Sequence, residues 1–192
     1  PLQDGVLLSL ARMNRILDID LENRTATVEP GVTNLAITEA VKDRGFYYAP
    51  DPSSQLACTI GGNVAENSGG VHCLKYGVTT NNILGLEVVL ADGETVRLGG
   101  KGMEQAGYDL LALMTGSEGL LGVVTEVTVR LLRRPETARA IMAVFDTVEA
   151  AGKAVADTIA AGMVPAGMEI MDRLSIGAVE EFVHAGSPTD AE

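Results

Sequence analysis

The sequence predicts an α+β protein whose main sheet is antiparallel and flanked by helices. Two pairs of apolar, β-branched segments are each joined by a short turn, at 16–29 and 86–98. The Asp92-Gly93 dipeptide inside the second pair is a strong hairpin signal. After Pro135 the pattern changes to strand, helix, strand, helix, which is typical of a new layered unit.

The elements before Pro135 follow from alternation, capping residues and breakers. Strand segments alternate apolar with polar side chains or are rich in Val, Thr and Leu, whereas the first helix is capped by Thr33 or Asn34 and ended by Gly45. The predicted strands are 6–10, 16–20, 25–29, 86–90, 95–98 and 123–132. The predicted helices are 33–44, 59–65 and 108–114.

The part after Pro135 is predicted to open an α+β domain of its own. It contains two strand-like apolar segments, each followed by a helical segment, the first of which is rich in alanine. The predicted strands are 139–145 and 168–171, and the predicted helices are 147–161 and 174–184. The predicted domains are 1–134 and 135–192.

Composition and charge exclude several classes of protein. With 46% hydrophobic and 21% charged residues among 192, the chain is globular and not disordered. A net charge of −12 opposes binding to nucleic acid and to anionic lipid, both of which need a basic face. The most apolar stretch, 110–129, is interrupted by glycine and glutamate, so no transmembrane helix is predicted.

The cysteines and histidines predict neither a disulfide framework nor a metal site. Cys58 and Cys73 are the two cysteines, and no signal peptide leads the chain, which indicates a reducing cytoplasm. With His72 and His184 they lack the ligand count and spacing that zinc requires.

Residues 50–77, PDPSSQLACTIGGNVAENSGGVHCLKYG, are predicted to be a ligand-binding loop. Four glycines lie within 61–70, where they allow a ligand to touch the backbone, and Asn and Ser are frequent caps of helices and turns. No Lys or Arg occurs between Arg44 and Lys75. An anion held here would therefore rest on backbone N–H groups and a helix N-terminus.

Three blocks of sequence resemble one family. TIGGNVAENSGG followed by KYG resembles the second flavin loop of FAD-linked oxidases with the vanillyl-alcohol-oxidase-type FAD domain. NNILGLEVVLADGETV at 81–96 and TGSEGLLGVVTEVTVRLLRRP at 115–135 agree with that family, in the same order. Within the superfamily, the whole chain is similar to glycolate oxidase flavoprotein subunits and FAD-linked D-lactate dehydrogenases. Three ordered blocks are more specific than a single glycine motif.

The resemblance implies which part of such a protein this chain is. The first domain would be the second subdomain of an FAD-binding domain, and the second would be the start of a substrate-side cap domain. Family members carry an earlier subdomain upstream, which holds the FAD pyrophosphate, and a long catalytic region downstream. Both ends of this chain therefore look like cuts, and the chain is expected to be an internal fragment.

The resemblance also implies the function. FAD would be bound non-covalently, and the parent would oxidise glycolate or D-lactate by hydride transfer to flavin N5. The family's catalytic base and carboxylate site come from the absent C-terminal half, so no catalytic residue is assigned and the chain alone is expected to be inactive. The implied partners are a small 2-hydroxy acid and other subunits of a glycolate oxidase complex, including an iron–sulfur electron-acceptor subunit. The implied location is cytoplasmic, or peripheral at the inner face of the membrane through those subunits.

Polar groups and bare backbone make up the predicted FAD site. Thr59, Asn63 and Asn67 are placed to bond flavin carbonyls or ribityl hydroxyls, and backbone after residue 118 would border the adenine end. Asp51 could bond a ribityl group or form a plain Asx turn, and Glu118 could bond the adenine ribose or cap a turn. The predicted cofactor-binding residues are Pro50, Asp51, Ser54, Thr59, Gly61, Gly62, Asn63, Asn67, Gly69, Tyr76, Gly77, Glu118, Gly119, Gly122 and Val124.

Structural explanations compete with these roles. The glycines of 61–70 could form only a tight connection, and Tyr76-Gly77 could be core packing followed by a turn. His72 resembles a base, but a histidine beside a cysteine in such a turn is more often a hydrogen-bonded structural residue. Cys58 is interpreted as a buried small side chain and not as a flavin attachment site.

The sequence bears on three other functions. A D-2-hydroxyglutarate dehydrogenase-like flavoenzyme fits the same blocks. A non-catalytic module that binds a small ligand or a protein also fits the glycine loop, and it would release no flavin on denaturation. A Rossmann-type nicotinamide enzyme is excluded, because no G-x-G-x-x-G follows a strand and opens a helix.

Overall fold

The computed structural model describes residues 4–102 and 107–189. The chain divides into two compact units, Pro1–Arg134 and Pro135–Glu192. Each unit is described by itself.

The first unit is built on antiparallel strands. Its strands are β1 Ile16–Asp20, β2 Thr25–Val28, β3 Phe46–Tyr47, β4 Ile83–Val89, β5 Thr95–Gly99, β6 Val123–Arg130 and β7 Leu132–Arg133. Five of them form one sheet in the order β1-β2-β6-β4-β5, and β3 pairs with β7 in a small second sheet. Every pairing is antiparallel, which confirms the predicted fold class and both predicted hairpins.

Short helices fill the connections of the first unit. They are α1 Asn34–Val41, α2 Ile60–Glu66, α3 Cys73–Tyr76 and α4 Leu110–Met114. The Thr59 hydroxyl caps α2 by accepting from Gly62 N at 3.3 Å, and the Asp109 carboxylate caps α4 by accepting from Ala112 N at 3.0 Å. Gly45, with φ of 76°, ends the helical turn that follows α1.

The core lies on one face of the main sheet. Alternation places Val127 and Val129 of β6 on this face, and the register sets them opposite Val28 and Ala26 of β2. All four side chains are at most 1% exposed. Apolar side chains of α1 and α2 complete the same core. This packing fixes α2, and with it the middle of the predicted ligand loop.

Two predicted strand features of the first unit are wrong. Residues 6–10 form no strand, and Val6 and Leu7 are more than 90% exposed. An apolar run becomes a strand only when a neighbouring strand supplies hydrogen bonds, and none pairs with this run in the described residues. The predicted strand 123–132 is divided at Leu131, whose N–H bonds Arg24 O at 2.7 Å before the chain joins β3.

The second unit consists of two capped helices and extended chain. The helices are α5 Val148–Ala160 and α6 Arg173–Phe182, close to the predicted bounds. Thr147 accepts from Ala150 N at 3.1 Å and Asp172 from Ser175 N at 2.8 Å, so each helix has a side-chain cap. The predicted strands 139–145 and 168–171 are wrong, since the structure gives both segments as extended chain without a paired strand.

Candidate functional site

The predicted ligand loop, residues 50–77, connects β3 to β4 and is anchored at its entry by α1. The Asn34 side chain, 1% exposed, donates from Nδ2 to Pro50 O at 3.0 Å, and its backbone N–H donates to Cys58 O at 3.0 Å. Backbone N–H groups at the start of α1 have no partner within the helix, and by bonding the loop they hold it in place. Pro50 acts through its carbonyl as an anchor of the loop.

Two predicted residues near this entry are placed differently from expectation. The hydroxyl of Ser54 is exposed, while the Ser54 carbonyl accepts from Ala57 N and Cys58 N at 2.8 Å each and so shapes a turn. Cys58 is half-buried, whereas the sequence predicted a buried side chain. The extended chain around it bridges to Thr33, and this pairing leaves the cysteine at the edge of the core.

Close contacts within the protein explain three of the four loop glycines. A Cβ on Gly70 would lie 2.1 Å from Asp51 O, closer than any side chain can approach. A Cβ on Gly61 would lie 2.6 Å from Pro30 Cβ, and a Cβ on Gly69 would lie 2.4 Å from Cys73 Sγ. A tight connection within the protein therefore explains the glycines at these three positions.

Gly62 is different from the other three. A Cβ there would meet only Thr59 Oγ1, at the ordinary distance of 3.4 Å, and the residue is exposed. The fold therefore has room for a side chain at this position. Absence of a side chain leaves bare backbone on the open side of α2, which is what close approach of a ligand requires.

The N–H groups at the start of α2 are already bonded inside the protein. Ile60 N donates to Val32 O at 2.8 Å and Gly61 N to Pro30 O at 2.9 Å. Gly62 N is taken by the Thr59 hydroxyl. A ligand anion can use this helix end only by displacing the Thr59 cap, so the expected free helix terminus is absent from the described structure.

Asn63 supplies the unsatisfied polar group of the loop. Its side chain is 2% exposed, and Nδ2 has no hydrogen-bond partner within the described residues. Leaving a buried donor unpaired costs about 1–3 kcal/mol. The amide is therefore suited to a ligand oxygen that completes the site.

Asn67 has a structural role in the loop. It ends α2 in the left-handed conformation, with φ of 49°, which asparagine tolerates better than most residues. Its side-chain Oδ1 accepts from Thr80 N at 2.9 Å and so ties the end of α2 to the turn before β4. The bond leaves the Asn67 Nδ2 available to a ligand.

The second predicted block, 115–124, docks on the C-terminal end of α2. Gly116 N donates to Val64 O at 2.7 Å, and Glu118 N donates to Ala65 O at 3.0 Å. The last carbonyls of α2 are thereby satisfied by a segment about fifty residues away in the sequence. Glu118 contributes its backbone N–H to this contact.

An apolar pocket of about 200 Å³ lies where these segments meet. Complete small-molecule sites usually measure about 300–1,000 Å³, so this pocket suits one part of a larger ligand. Four predicted residues, Gly61, Gly119, Gly122 and Val124, line it together. The remaining lining residues are Leu8, Leu10, Val64, Ala65, Met114, Ser117 and Val123.

A polar and aromatic cluster forms the other end of the loop. The Asp51 carboxylate bonds His72 Nδ1 through Oδ2 and accepts from His72 N at 3.4 Å through Oδ1. The Tyr76 ring stands edge-on to Tyr47, with centroids 6.2 Å apart and planes at 86°. Burial, and next the Tyr76 hydroxyl, raise the pKa of Tyr47, which stays protonated. Gly77, with φ of 77°, then turns the chain away.

Sequence reasoning missed Tyr47 and Tyr48. Tyr48 is 2% exposed, its hydroxyl has no hydrogen-bond partner in the described structure, and burial raises its pKa. The Phe46-Tyr47-Tyr48 triplet directly before the Pro-Asp-Pro turn was the available signal. Pairing of β3 with β7, which the sequence did not reveal, places the aromatic rings here.

Comparison with known families gives two matches. Residues 1–99 match the FAD binding domain, and residues 134–192 match the C-terminal domain of FAD linked oxidases. None of the helices in the described ranges is long and apolar enough to cross a membrane.

Known proteins align with the whole chain or nearly all of it. The glycolate oxidase subunit GlcD of Escherichia coli (strain K12) is 61% identical over 192 residues, and that of Bacillus subtilis (strain 168) is 48% identical over 193. A D-lactate dehydrogenase of Archaeoglobus fulgidus is 38% identical over 92% of this chain. The chain spans 38%, 41% and 39% of the lengths of these relatives, respectively.

Solved structures share the fold. One structure of alkyldihydroxyacetonephosphate synthase superimposes with a TM-score of 0.74 over 94% of this chain and 36% of that chain, at 22% identity. Another has a TM-score of 0.69 over 82% of this chain and 28% of that chain, at 27% identity.

The described residues fit a flavin dinucleotide. Among the described residues, Asn63 Nδ2 is a buried donor without an acceptor, Gly62 offers bare backbone, and the apolar pocket has room for part of a larger ligand. These features lie on α2 or beside it, where the loop 50–77 meets the block 115–124. Before Lys75 the loop carries no Lys or Arg, so residues 50–74 can contribute hydrogen bonding and shape but no Lys or Arg charge.

Proposed function

Because the chain belongs to the FAD-linked oxidases with this FAD binding domain, and its cofactor is FAD, we propose that the whole protein oxidises a 2-hydroxy acid. Glycolate is proposed as the preferred substrate, and D-lactate as the alternative. The observation that carries the proposal is the 61% identity to a glycolate oxidase subunit along all 192 residues, supported by the 38% identity to a D-lactate dehydrogenase.

In this proposal the first unit is the second subdomain of the FAD domain, covering 1–134. FAD supplies hydride-accepting chemistry when it is bound. Asn63 donates from Nδ2 to an oxygen of the cofactor, and Gly62 lets the cofactor approach the backbone of α2. The apolar pocket beside Gly119, Gly122 and Val124 excludes water from one end of the dinucleotide.

The second unit, 135–192, is proposed as the start of the substrate-side cap domain. No side chain of this chain is assigned as the base or as the substrate-carboxylate site, and both are proposed to lie in the remainder of the protein. The whole protein is proposed to work in a complex with other subunits, including an iron–sulfur acceptor. It is proposed to be cytoplasmic, or held at the inner face of the membrane by those subunits.

The first test uses Gly62→Val in the whole protein, with Gly177→Val as the matched control. Both glycines are helical, and neither has a neighbour closer than 3.4 Å to the added Cβ, so the two changes stress the fold similarly. The absorbance ratio of flavin to protein is expected to fall below about a tenth of wild type for Gly62→Val, since a branched side chain blocks the close approach. Stoichiometric FAD in that variant would overturn the assignment.

The second test concerns flavin linkage and substrate. Acid precipitation is expected to leave all flavin in the supernatant, and fluorescence migrating with the Cys58 peptide would contradict non-covalent binding. Dye-linked assays with glycolate, D-lactate and D-2-hydroxyglutarate are expected to give the highest kcat/KM for glycolate. The 192-residue chain alone, with excess FAD, is expected to show no turnover, and turnover equal to the whole protein would move the active site into these residues.

A further inference from the structure

Three consecutive residues, Pro30, Gly31 and Val32, connect two walls of the apolar pocket. On one side they hold the start of α2, because Gly61 N donates to Pro30 O at 2.9 Å and Ile60 N donates to Val32 O at 2.8 Å. Helix α2 forms one wall of the pocket, to which Gly61 belongs. The position of this wall therefore depends on the segment 30–32.

The other wall comes from the chain before β1. Leu8 and Leu10 line the pocket, and Leu10 begins a turn that is closed by a hydrogen bond from Met13 N to Leu10 O at 2.9 Å. Gly31 N donates to Met13 O at 2.7 Å, which holds this turn against Gly31. The segment 30–32 therefore sets the positions of both walls.

Gly31 has no room for a side chain. A Cβ there would lie 2.6 Å from Leu10 O and 2.7 Å from Met13 O, which are backbone atoms that no change of rotamer can move. The chain after the turn is fixed separately, because Arg15 N donates to Glu29 Oε2 at 2.8 Å and Glu29 N donates to Arg15 O at 2.9 Å. A side chain at position 31 would therefore displace the turn and move the pocket wall that it carries.

We propose that Gly31 is a positioning residue of the cofactor site, which fixes the separation of the two pocket walls for the part of FAD held between them. The inference rests on the proposed function, because FAD must occupy this pocket. Gly31 is not among the described residues that line the pocket, and it acts through Leu8 and Leu10. An added methyl group displaces these two side chains relative to α2, so the bound part of FAD loses van der Waals contact on one side.

The test is a titration of the whole apoprotein with FAD, followed by flavin fluorescence at a temperature where urea unfolding shows each variant to be folded. The dissociation constant of Gly31→Ala is expected to rise about tenfold, since overpacking strain of the usual size changes a binding constant by that factor. The matched control Gly100→Ala adds the same methyl group, with no described atom within 4 Å of it, and is expected to bind FAD as wild type does. A wild-type dissociation constant in Gly31→Ala would overturn the inference.

A second variant separates this role from a general effect on stability. Leu10 is half-buried, and Leu10→Ala removes part of the wall without altering the backbone contact to Gly31. Its dissociation constant is expected to rise about threefold, as loss of a partly exposed apolar contact implies. Because Leu10→Ala tests the same wall, it decides the question even where Gly31→Ala does not fold, and a wild-type dissociation constant there would also overturn the inference.

The double variant Gly31→Ala/Leu10→Ala completes the comparison. Its dissociation constant is expected to rise by less than the product of the two single-variant factors, because Gly31 acts through the contact that Leu10→Ala has already removed. A rise equal to that product would overturn the inference. Loss of flavin in Gly62→Val together with wild-type binding in Gly31→Ala would overturn the inference and leave the proposed function intact, whereas failure of wild type to bind FAD would overturn both.

Discussion

The two units of this chain are stabilised in different ways. In Pro1–Arg134, strands far apart in sequence pair with one another and bury a continuous apolar core. In Pro135–Glu192, only Ala151 and Ile176 are buried among the described hydrophobic residues, and both helices rely on side-chain caps. The difference teaches that a helix can form from its own capping residues, whereas an apolar segment becomes a strand only when another strand pairs with it.

Two segments that were both predicted to be strands illustrate this lesson. Residues 123–130 and 139–145 both contain the β-branched and apolar residues that favour strands. The first becomes β6 because β2 and β4 lie on either side of it and accept its ladder of hydrogen bonds. The second has no such neighbour in the described structure and remains extended chain, with Ile141 94% exposed.

The largest expected effect compares one leucine from each unit. Leu131→Ala empties a site with 0% exposure and is expected to destabilise the first unit by about 3 kcal/mol. Leu174→Ala, at 84% exposure, is expected to change stability by less than about 0.5 kcal/mol. Urea unfolding of the 192-residue chain, followed by circular dichroism in the tyrosine band, reports the first unit, because all four tyrosines lie within residues 47–108 and there is no tryptophan.

The matching readout for the second unit is far-UV ellipticity or amide exchange of α6. A loss of about 3 kcal/mol for Leu174→Ala would break the comparison, because it would reveal a core in the second unit.

Glycine substitutions are expected to have opposite signs in the two units. Gly70→Ala places a Cβ on the Asp51 carbonyl and is expected to cost about 2 kcal/mol, measured by urea unfolding. Gly177→Ala lies inside α6 with open space around the added Cβ, and is expected to stabilise that helix by about 0.5–1 kcal/mol. Destabilisation by both changes would show that α6 is more closely packed than the structure indicates.

Removal of helix caps should affect the second unit more than the first. Thr147→Ala is expected to cost α5 about 1 kcal/mol, measured as faster amide exchange in its first turn. Thr59→Ala also removes a cap, but Val32 O and Pro30 O still bind the first N–H groups of α2, so its exchange is expected to change less. Equal acceleration in the two helices would contradict the role of tertiary anchoring.

The smallest effect is expected on acidification. Hydrogen bonds from the Ser175 hydroxyl and N–H lower the pKa of Asp172, the cap of α6. Because the folded pKa lies below the unfolded value of 3.8, the contribution is present above pH 3.8 and is lost as pH falls through the folded value. The amide protection of α6 is expected to decline in that range, and Asp172→Asn is expected to show a flatter profile.

Much of the candidate site could be predicted from the sequence because it follows short-range rules. Thr59 preceding a glycine-containing helix predicted the cap, and the two glycine-bearing blocks predicted residues that line the pocket, such as Gly119 and Val124. The sequence did not predict that the first N–H groups of α2 are already bonded. Their acceptors, Val32 O and Pro30 O, lie about thirty residues away, and only the folded chain brings them together.

The sequence by itself therefore determined the turns, the helix caps and the stretches that resemble the family, since each depends on neighbours within a few positions. Tertiary structure decided which apolar runs became strands, placed Tyr47 beside Tyr76, and separated Gly62 from the three packed glycines. Those outcomes depend on contacts between segments distant in sequence, whose hydrogen bonds and close packing exist only after the chain has folded.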